Sequence, residues 1–182
     1  MLKDDIERTL SGYVQRFPGD GGVIAELRAL QQQKAEITSR KEFRGHITCG
    51  AIVIGKDRRL LMIHHRSLDR WLFPGGHLER DDITLRDAAL REITEETGAC
   101  ASALSVPANE FATLPIHIDC HAIPANPAKA EPEHRHFDFR FVFEGEPDQL
   151  MLQQDEISDC GWVTVDSAPR PIRTRLSELG LI

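Results

Sequence analysis

No run of apolar residues in this chain approaches the ~20 needed to cross a bilayer, so no membrane-spanning helix is expected. Cysteine is sparse: Cys49, Cys100, Cys120 and Cys160 lie far apart, with no CxxC pair. That spacing excludes a zinc ribbon and a dense disulfide framework. Basic charge is also short, with 22 Lys+Arg against 29 Asp+Glu, a net charge of −7 and a pI near 5.6. A surface so biased argues against a nucleic acid polymer or an anionic membrane as partner, while leaving room for a local small-anion site. Internal repeats and low-complexity tracts are missing. The opening MLKDDIERTL carries acids where a secretory leader needs an apolar stretch, so a reduced, cytoplasmic protein is expected. What the chain does have is apolar content, 41% of 182 residues, enough for the core of one domain.

The periodicity predicts two amphipathic helices first. Ile6, Leu10, Tyr13, Val14 and Phe17 recur at helical spacing over 4–17, stopped by Pro18-Gly19. A second helix is expected at about 22–37. The pair reads as an N-terminal extension, 1–43, packed on a main domain of 44–182. From His46 the pattern turns β-rich. HITCGAIVI and RLLMIHH form an expected hairpin around KDRR, and Trp71-Leu72-Phe73 runs into a turn at Pro74-Gly75-Gly76. A helix is expected at about 84–97. Phe111 to Ile123 is β-prone, 124–133 is a Pro/Ala-rich loop, 134–143 is the clearest strand, and GWVTV (161–165) is the last. RTRLSEL closes the chain as a short helix. Strands on both sides of a central helix indicate a mixed α/β domain.

The helix from Thr84 to Gly98 is well punctuated. Thr84 suits the N-cap, with Asp87 three residues on, and Gly98 suits the left-handed closing position. At about 100° per residue, Glu92, Glu95 and Glu96 share one sector. They repel each other, and the helix dipole disfavours anions near its C-terminus. A divalent cation would offset both costs, and Mg²⁺ takes hard oxygen ligands while keeping phosphate oxygens and waters in its shell. Arg91 stands four residues after Asp87 and four before Glu95, placed to bridge them. Glu-rich helices are common on protein surfaces. Here a glycine-rich turn lies just upstream, where the backbone amides of Gly75 and Gly76 can approach an anion. Together the two features indicate a diphosphate site.

The stretch GHLERDDITLRDAALREITEETGA, Gly76 to Ala99, resembles the signature of the Nudix hydrolase family, G-x5-E-x7-R-E-U-x-E-E-x-G-U with U a bulky aliphatic. REITEETG matches in place through Arg91, Glu92, Ile93, Glu95, Glu96 and Gly98. The chain departs at three points: Asp82 replaces the first Glu, eight residues instead of seven separate it from Arg91, and Ala99 replaces the last aliphatic. Glu79 is then a candidate for the loop-bracing or outer metal role. The resemblance covers about 46–165 and implies an α/β/α sandwich with mixed sheets. It implies that Glu92, Glu95 and Glu96 hold Mg²⁺, with Mn²⁺ as a substitute. It also implies that Arg91 orients the carboxylates and that a loop carboxylate such as Glu156 supplies the general base. The implied reaction is attack of water on a diphosphate linkage of a nucleoside-diphosphate-type small molecule.

Other residues bear on this reading. In HRHFDFRFVF, His134, His136, Asp138 and Arg140 alternate with Arg135, Phe137, Phe139 and Phe141. The Phe face is expected in the core, and His136, Asp138 and Arg140 are expected to line the groove and meet substrate. A metal cluster with His117, Asp119 or His121 is an alternative. His64 or His65, and Trp71 or Trp162, are weaker substrate-contact candidates. Rival functions on the same fold are a catalytically weak binding or regulatory protein, and a prenyl diphosphate isomerase using Cys49. The N-terminal helices can equally pack on a second subunit, as in a homodimer.

Overall fold

The structure is a computed structural model that describes residues 2–66, 68–147, 150 and 157–182. Two helices come first, α1 (Leu2–Arg16) and α2 (Gly21–Gln32), joined by a 3₁₀ turn at Pro18–Asp20. Strands β1 (His46–Ile54), β2 (Leu60–His65), β3 (Arg70–Leu72) and β4 (Gly75–His77) precede α3 (Leu85–Thr97). The remaining elements are β5 (Leu104–Ser105), β6 (His117–Ile123), β7 (His134–Gly145), β8 (Ile157–Val163) and α4 (Arg170–Glu178). The result is an α/β fold around a mixed sheet. Central β1 runs antiparallel to β4 through Thr48–Gly50 and to β2 through Val53–Ile54, and parallel to β7 along its whole length. β6 extends the sheet beyond β7, and β8 extends it beyond β2.

Strand alternation decides what each face carries. Phe137, Phe139, Phe141 and Phe143 are all at most 2% exposed, and Ile47, Cys49, Ala51 and Val53 of β1 are buried beside them. A one-residue slip would turn this whole set over, so the register is firmly specified. Ile6, Leu10, Tyr13, Phe17, Ile24 and Leu27 belong to the same buried cluster as the sheet. The N-terminal helices therefore share the domain's core. Among the described residues no helix is long and apolar enough to cross a membrane.

Several boundaries differ from the sequence-based expectation. The last strand is Ile157–Val163, and Val165–Ser167 is a 3₁₀ turn. Of the β-prone stretch from Phe111 only His117–Ile123 is strand, because Asn109 accepts the Phe111 N–H and caps a 3₁₀ turn at Glu110–Ala112. Gly75 and Gly76 lie in a strand rather than a turn. A Cβ on Gly75 would stand 2.7 Å from Gly50 Cα and 2.8 Å from the Cys49 carbonyl oxygen, so the glycine is what lets β4 approach β1.

Tyr13 joins three segments. Its buried hydroxyl donates to Asp20 Oδ2 at 2.5 Å and accepts the Ile118 N–H at 2.9 Å, while Arg175 of α4 donates to the same Asp20 oxygen at 3.0 Å. Tyr13→Phe leaves the Ile118 N–H without that acceptor. The expected cost is about 1–3 kcal/mol, or several degrees of Tm at roughly 2–4 °C per kcal/mol for a chain of this size. A melting curve that overlays the wild type would rule the network out as a stabilising one.

Candidate active site

The signature folds as loop, helix, loop. Thr84 Oγ1 accepts the Asp87 N–H at 3.1 Å and starts α3; Gly98, at φ 67°, ends it with its N–H on the Thr94 carbonyl at 2.9 Å. Leu85, Ala88, Ala89, Glu92, Ile93 and Thr97 form the buried stripe, so Glu92 goes inward as a consequence of helical spacing. Directly opposite is Gly76. A Cβ there would stand 2.6 Å from Glu92 Oε1, so only a glycine leaves room for the carboxylate.

Arg91 is the hub. Its Nε and Nη2 donate to the two oxygens of Asp82, each at 3.1 Å, as a planar fork. Nη1 donates to Glu92 Oε1 at 2.9 Å and to Glu95 Oε2 at 3.0 Å, and Nη2 also reaches the His77 carbonyl at 2.9 Å. Burial works against the charge of Arg91, but the Asp82 and Glu92 carboxylates hold it firmly protonated. The expected bridge to Asp87 does not form; Arg86 meets Asp87 instead, at 3.5 Å. Asp82, its side chain 5% exposed, takes the loop-bracing position, while Glu79 stands 3.9 Å from Arg91 and is largely exposed. The additional loop residue is absorbed in a turn over 79–82, where the Glu79 N–H donates to Asp82 Oδ2 at 2.7 Å and the Asp82 N–H to the Glu79 carbonyl at 3.3 Å. That turn brings the shorter Asp side chain within reach of the guanidinium.

Glu96 Oε2 accepts the Gly75 N–H at 2.9 Å, so the anion at this glycine amide is the chain's own carboxylate. Burial, followed by the charges of Glu95 and Glu79, pushes the Glu92 carboxyl up to about 7 against the pull of Arg91. Glu92, Glu95 and Glu96 offer the hard oxygen donors that Mg²⁺ or Mn²⁺ takes, although no donor atom from each lies within 4.8 Å of the other two. Glu156 lies outside the described residues.

The His/Asp face of β7 forms a second polar region. Asp138 accepts from Thr48 Oγ1 at 3.2 Å and pairs with Arg140 at 2.6 Å; Arg140 also lies 3.6 Å from Asp119. Burial works against the Asp119 charge, but His121 and Arg140 hold its carboxyl below the ordinary value. His136 does not join His117, Asp119 and His121 in a metal cluster. Its closest ring is His46, at 4.7 Å between centroids, with His134 at 5.0 Å and His77 at 5.1 Å. Burial, then the neighbouring imidazoles, pushes His136 down to about 3; burial, then Arg40 and His46, pushes His77 down to about 4. His77 and Gly76 are adjacent in β4, so the imidazoles lie across that strand from Glu92. His46 and His77 escaped the sequence reading because His46 lies outside the signature and His77 falls at one of its variable positions; the parity of His46 with Thr48 along β1 was the available signal, and it needed the β1–β7 pairing. His64 is bonded to Ser158 Oγ at 2.7 Å and packs on Trp71. Cys49 is fully buried, and burial pushes its thiol well up. It is a core residue, without the exposure an isomerase thiol would need.

The NUDIX domain family model matches residues 44–179. This chain belongs to the Nudix family. The "Probable DHNTP pyrophosphohydrolase" of Lactococcus lactis subsp. cremoris is 30% identical over 122 residues, covering 64% of this chain and 68% of that protein. "Phosphatase NudJ" of Escherichia coli K12 is 33% identical over 131 residues, covering 68% and 71%. A Nudix-family hydrolase from Clostridium perfringens superposes with a TM-score of 0.54 at 20% identity, covering 75% of this chain and 97% of that one, and shares the fold. The chain is thus a Nudix-type hydrolase on an α/β Nudix fold.

Two outcomes follow from the charges. Arg91→Ala leaves the buried Asp82 and Glu92 carboxylates uncompensated and should destabilise the chain by on the order of 3 kcal/mol. Arg91→Lys should recover part of that loss, since ammonium lacks the fork; full recovery in denaturant melts would refute the bidentate role. The imidazoles set an acid limit. An unfolded histidine takes up its proton near pH 6.5, whereas folded His77 and His136 resist it until about 4 and about 3. The unfolded state binds more protons in that window, so metal-free stability should fall as pH drops below 6.5, by about 1 kcal/mol per pH unit for each imidazole. His136→Gln should show a shallower slope between pH 6.5 and 4, and an equal slope would clear His136 of the effect.

Proposed function

We propose that this chain hydrolyses a diphosphate linkage in a nucleoside-diphosphate-type small molecule, with Glu92, Glu95 and Glu96 holding Mg²⁺ or Mn²⁺. The observation that carries the reading is the Arg91 network, which draws Glu92 and Glu95 to a single guanidinium nitrogen while the Gly75 N–H fixes Glu96. The names of the two relatives, a pyrophosphohydrolase and a phosphatase, support hydrolysis at phosphorus. When bound, the ion would neutralise negative charge that develops on phosphate oxygens.

The chain's own residues supply the rest. Arg91 orients two of the carboxylates and stays charged while doing so. Burial raises the Glu92 carboxyl in the metal-free chain, so binding of the ion there would release a proton. Asp82 braces the loop between β4 and α3. Across β4, Arg140 with its Asp138 and Asp119 partners lines a polar face suited to the non-phosphate part of a substrate.

The test is formation of nucleoside monophosphate from a panel of nucleoside diphosphate derivatives, with and without Mg²⁺, for the wild type, Glu95→Gln and Glu96→Gln. Each substitution keeps size and deletes a negative oxygen, and should cost ~100-fold or more in kcat with the fold intact. Wild-type turnover by both variants would defeat the assignment.

A further inference from the structure

Among the described residues, one group of three ligand-bearing side chains brings one donor atom from each within 4.8 Å of the others, and it is not the carboxylate set. It is His46, His77 and His136. They come from three strands, β1, β4 and β7. The parallel register puts His136 beside His46, and β4 sets His77 opposite Thr48.

The tautomer of one of the three, His46, is fixed from outside. His46 Nδ1 lies 3.1 Å from the Glu42 carbonyl oxygen, which can only accept, so Nδ1 carries the hydrogen and Nε2 keeps its lone pair. That Nε2 is buried and has no hydrogen-bond partner. His134 repeats the pattern. Its Nδ1 donates to the Pro132 carbonyl at 2.8 Å, which leaves Nε2 as the acceptor, 3.2 Å from His136 Nε2. A ring nitrogen anchored on a backbone carbonyl with the other nitrogen bare and turned inward is how metal-bound imidazoles are supported. Tetrahedral zinc holds its nitrogens about 3.3 Å apart, so the partly exposed His77 and His136 rings would turn to close the remaining gap.

We propose that His46, His77 and His136 form a second metal site, selective for a divalent transition ion of the zinc class and separate from the carboxylate site across β4. Imidazole nitrogen favours such ions, whereas carboxylate oxygen suits Mg²⁺, so the two sites sort ions by donor chemistry. His134 stands beside the site and accepts from His136 when the ion is absent.

The full-length chain, stripped with a chelator and dialysed, is titrated with Zn²⁺ in excess Mg²⁺ by calorimetry. One zinc per chain is expected, with a Kd on the order of micromolar or tighter. Glu95→Gln should bind zinc as the wild type does. His77→Gln and His136→Gln should bind at least ~100-fold more weakly, since losing even a supporting partner of a ligand commonly costs 10–100-fold. Zinc-edge anomalous diffraction from wild-type crystals locates the ion without relying on any variant, and a peak between the three rings is the expected result. No stoichiometric zinc in the wild type, a peak at Glu92–Glu96 instead, or undiminished binding by a folded His77→Gln would overturn the proposal. None of these outcomes bears on whether the carboxylates support hydrolysis.

Discussion

One guanidinium organises the acidic half of this molecule. Without Arg91, Glu92 would face Glu95 and Asp82 with little to oppose their repulsion, and the helix would carry its acids at the end where the dipole resists them. Because the same group also holds the His77 carbonyl, it ties the helix to β4 as well as to the loop. The position of every carboxylate in the cluster, apart from Glu96 on its glycine amide, traces back to that side chain. A guanidinium that serves four partners is only partly replaceable by an ammonium, which has three donors and no planar fork.

The sequence was most informative where local chemistry dictates structure. Thr84 and Gly98 marked the ends of α3 because a cap and a left-handed closing residue are local requirements. The alternation in 134–143 fixed the buried face of β7 because period two leaves no other choice. The mistaken features depend on distant neighbours. Pro74-Gly75-Gly76 has the composition of a turn, and only the approach of β1 makes it a strand. The partners of His136 come from elements about 90 and 60 residues away, so no spacing rule could nominate them. With one extra loop residue, the sequence left the bracing role open between Asp82 and Glu79; the turn over 79–82 is what brings Asp82 to Arg91.

A short strand separates two donor sets of opposite character. On one side of β4, Gly76 yields its side-chain space to Glu92; on the other, His77 contributes an imidazole. Neighbouring residues of a single strand thus serve oxygen-rich and nitrogen-rich surroundings. Burial treats the two in opposite ways, raising the acid and lowering the imidazoles. In both cases it favours the neutral form.

The first helix reaches the acid-bearing helix directly. Asp5 Oδ2 accepts the Leu85 N–H at 2.9 Å, so a carboxylate from α1 satisfies one of the orphan amides that open α3. Asp5 is itself steadied by Arg8 at 3.2 Å. The segment preceding the family domain thereby acts as a doorstop for the element that carries Glu92, Glu95 and Glu96. Its sequence is answerable to the geometry of a site some eighty residues downstream. Loss of Asp5 would leave the Leu85 amide without this acceptor in the first turn of α3.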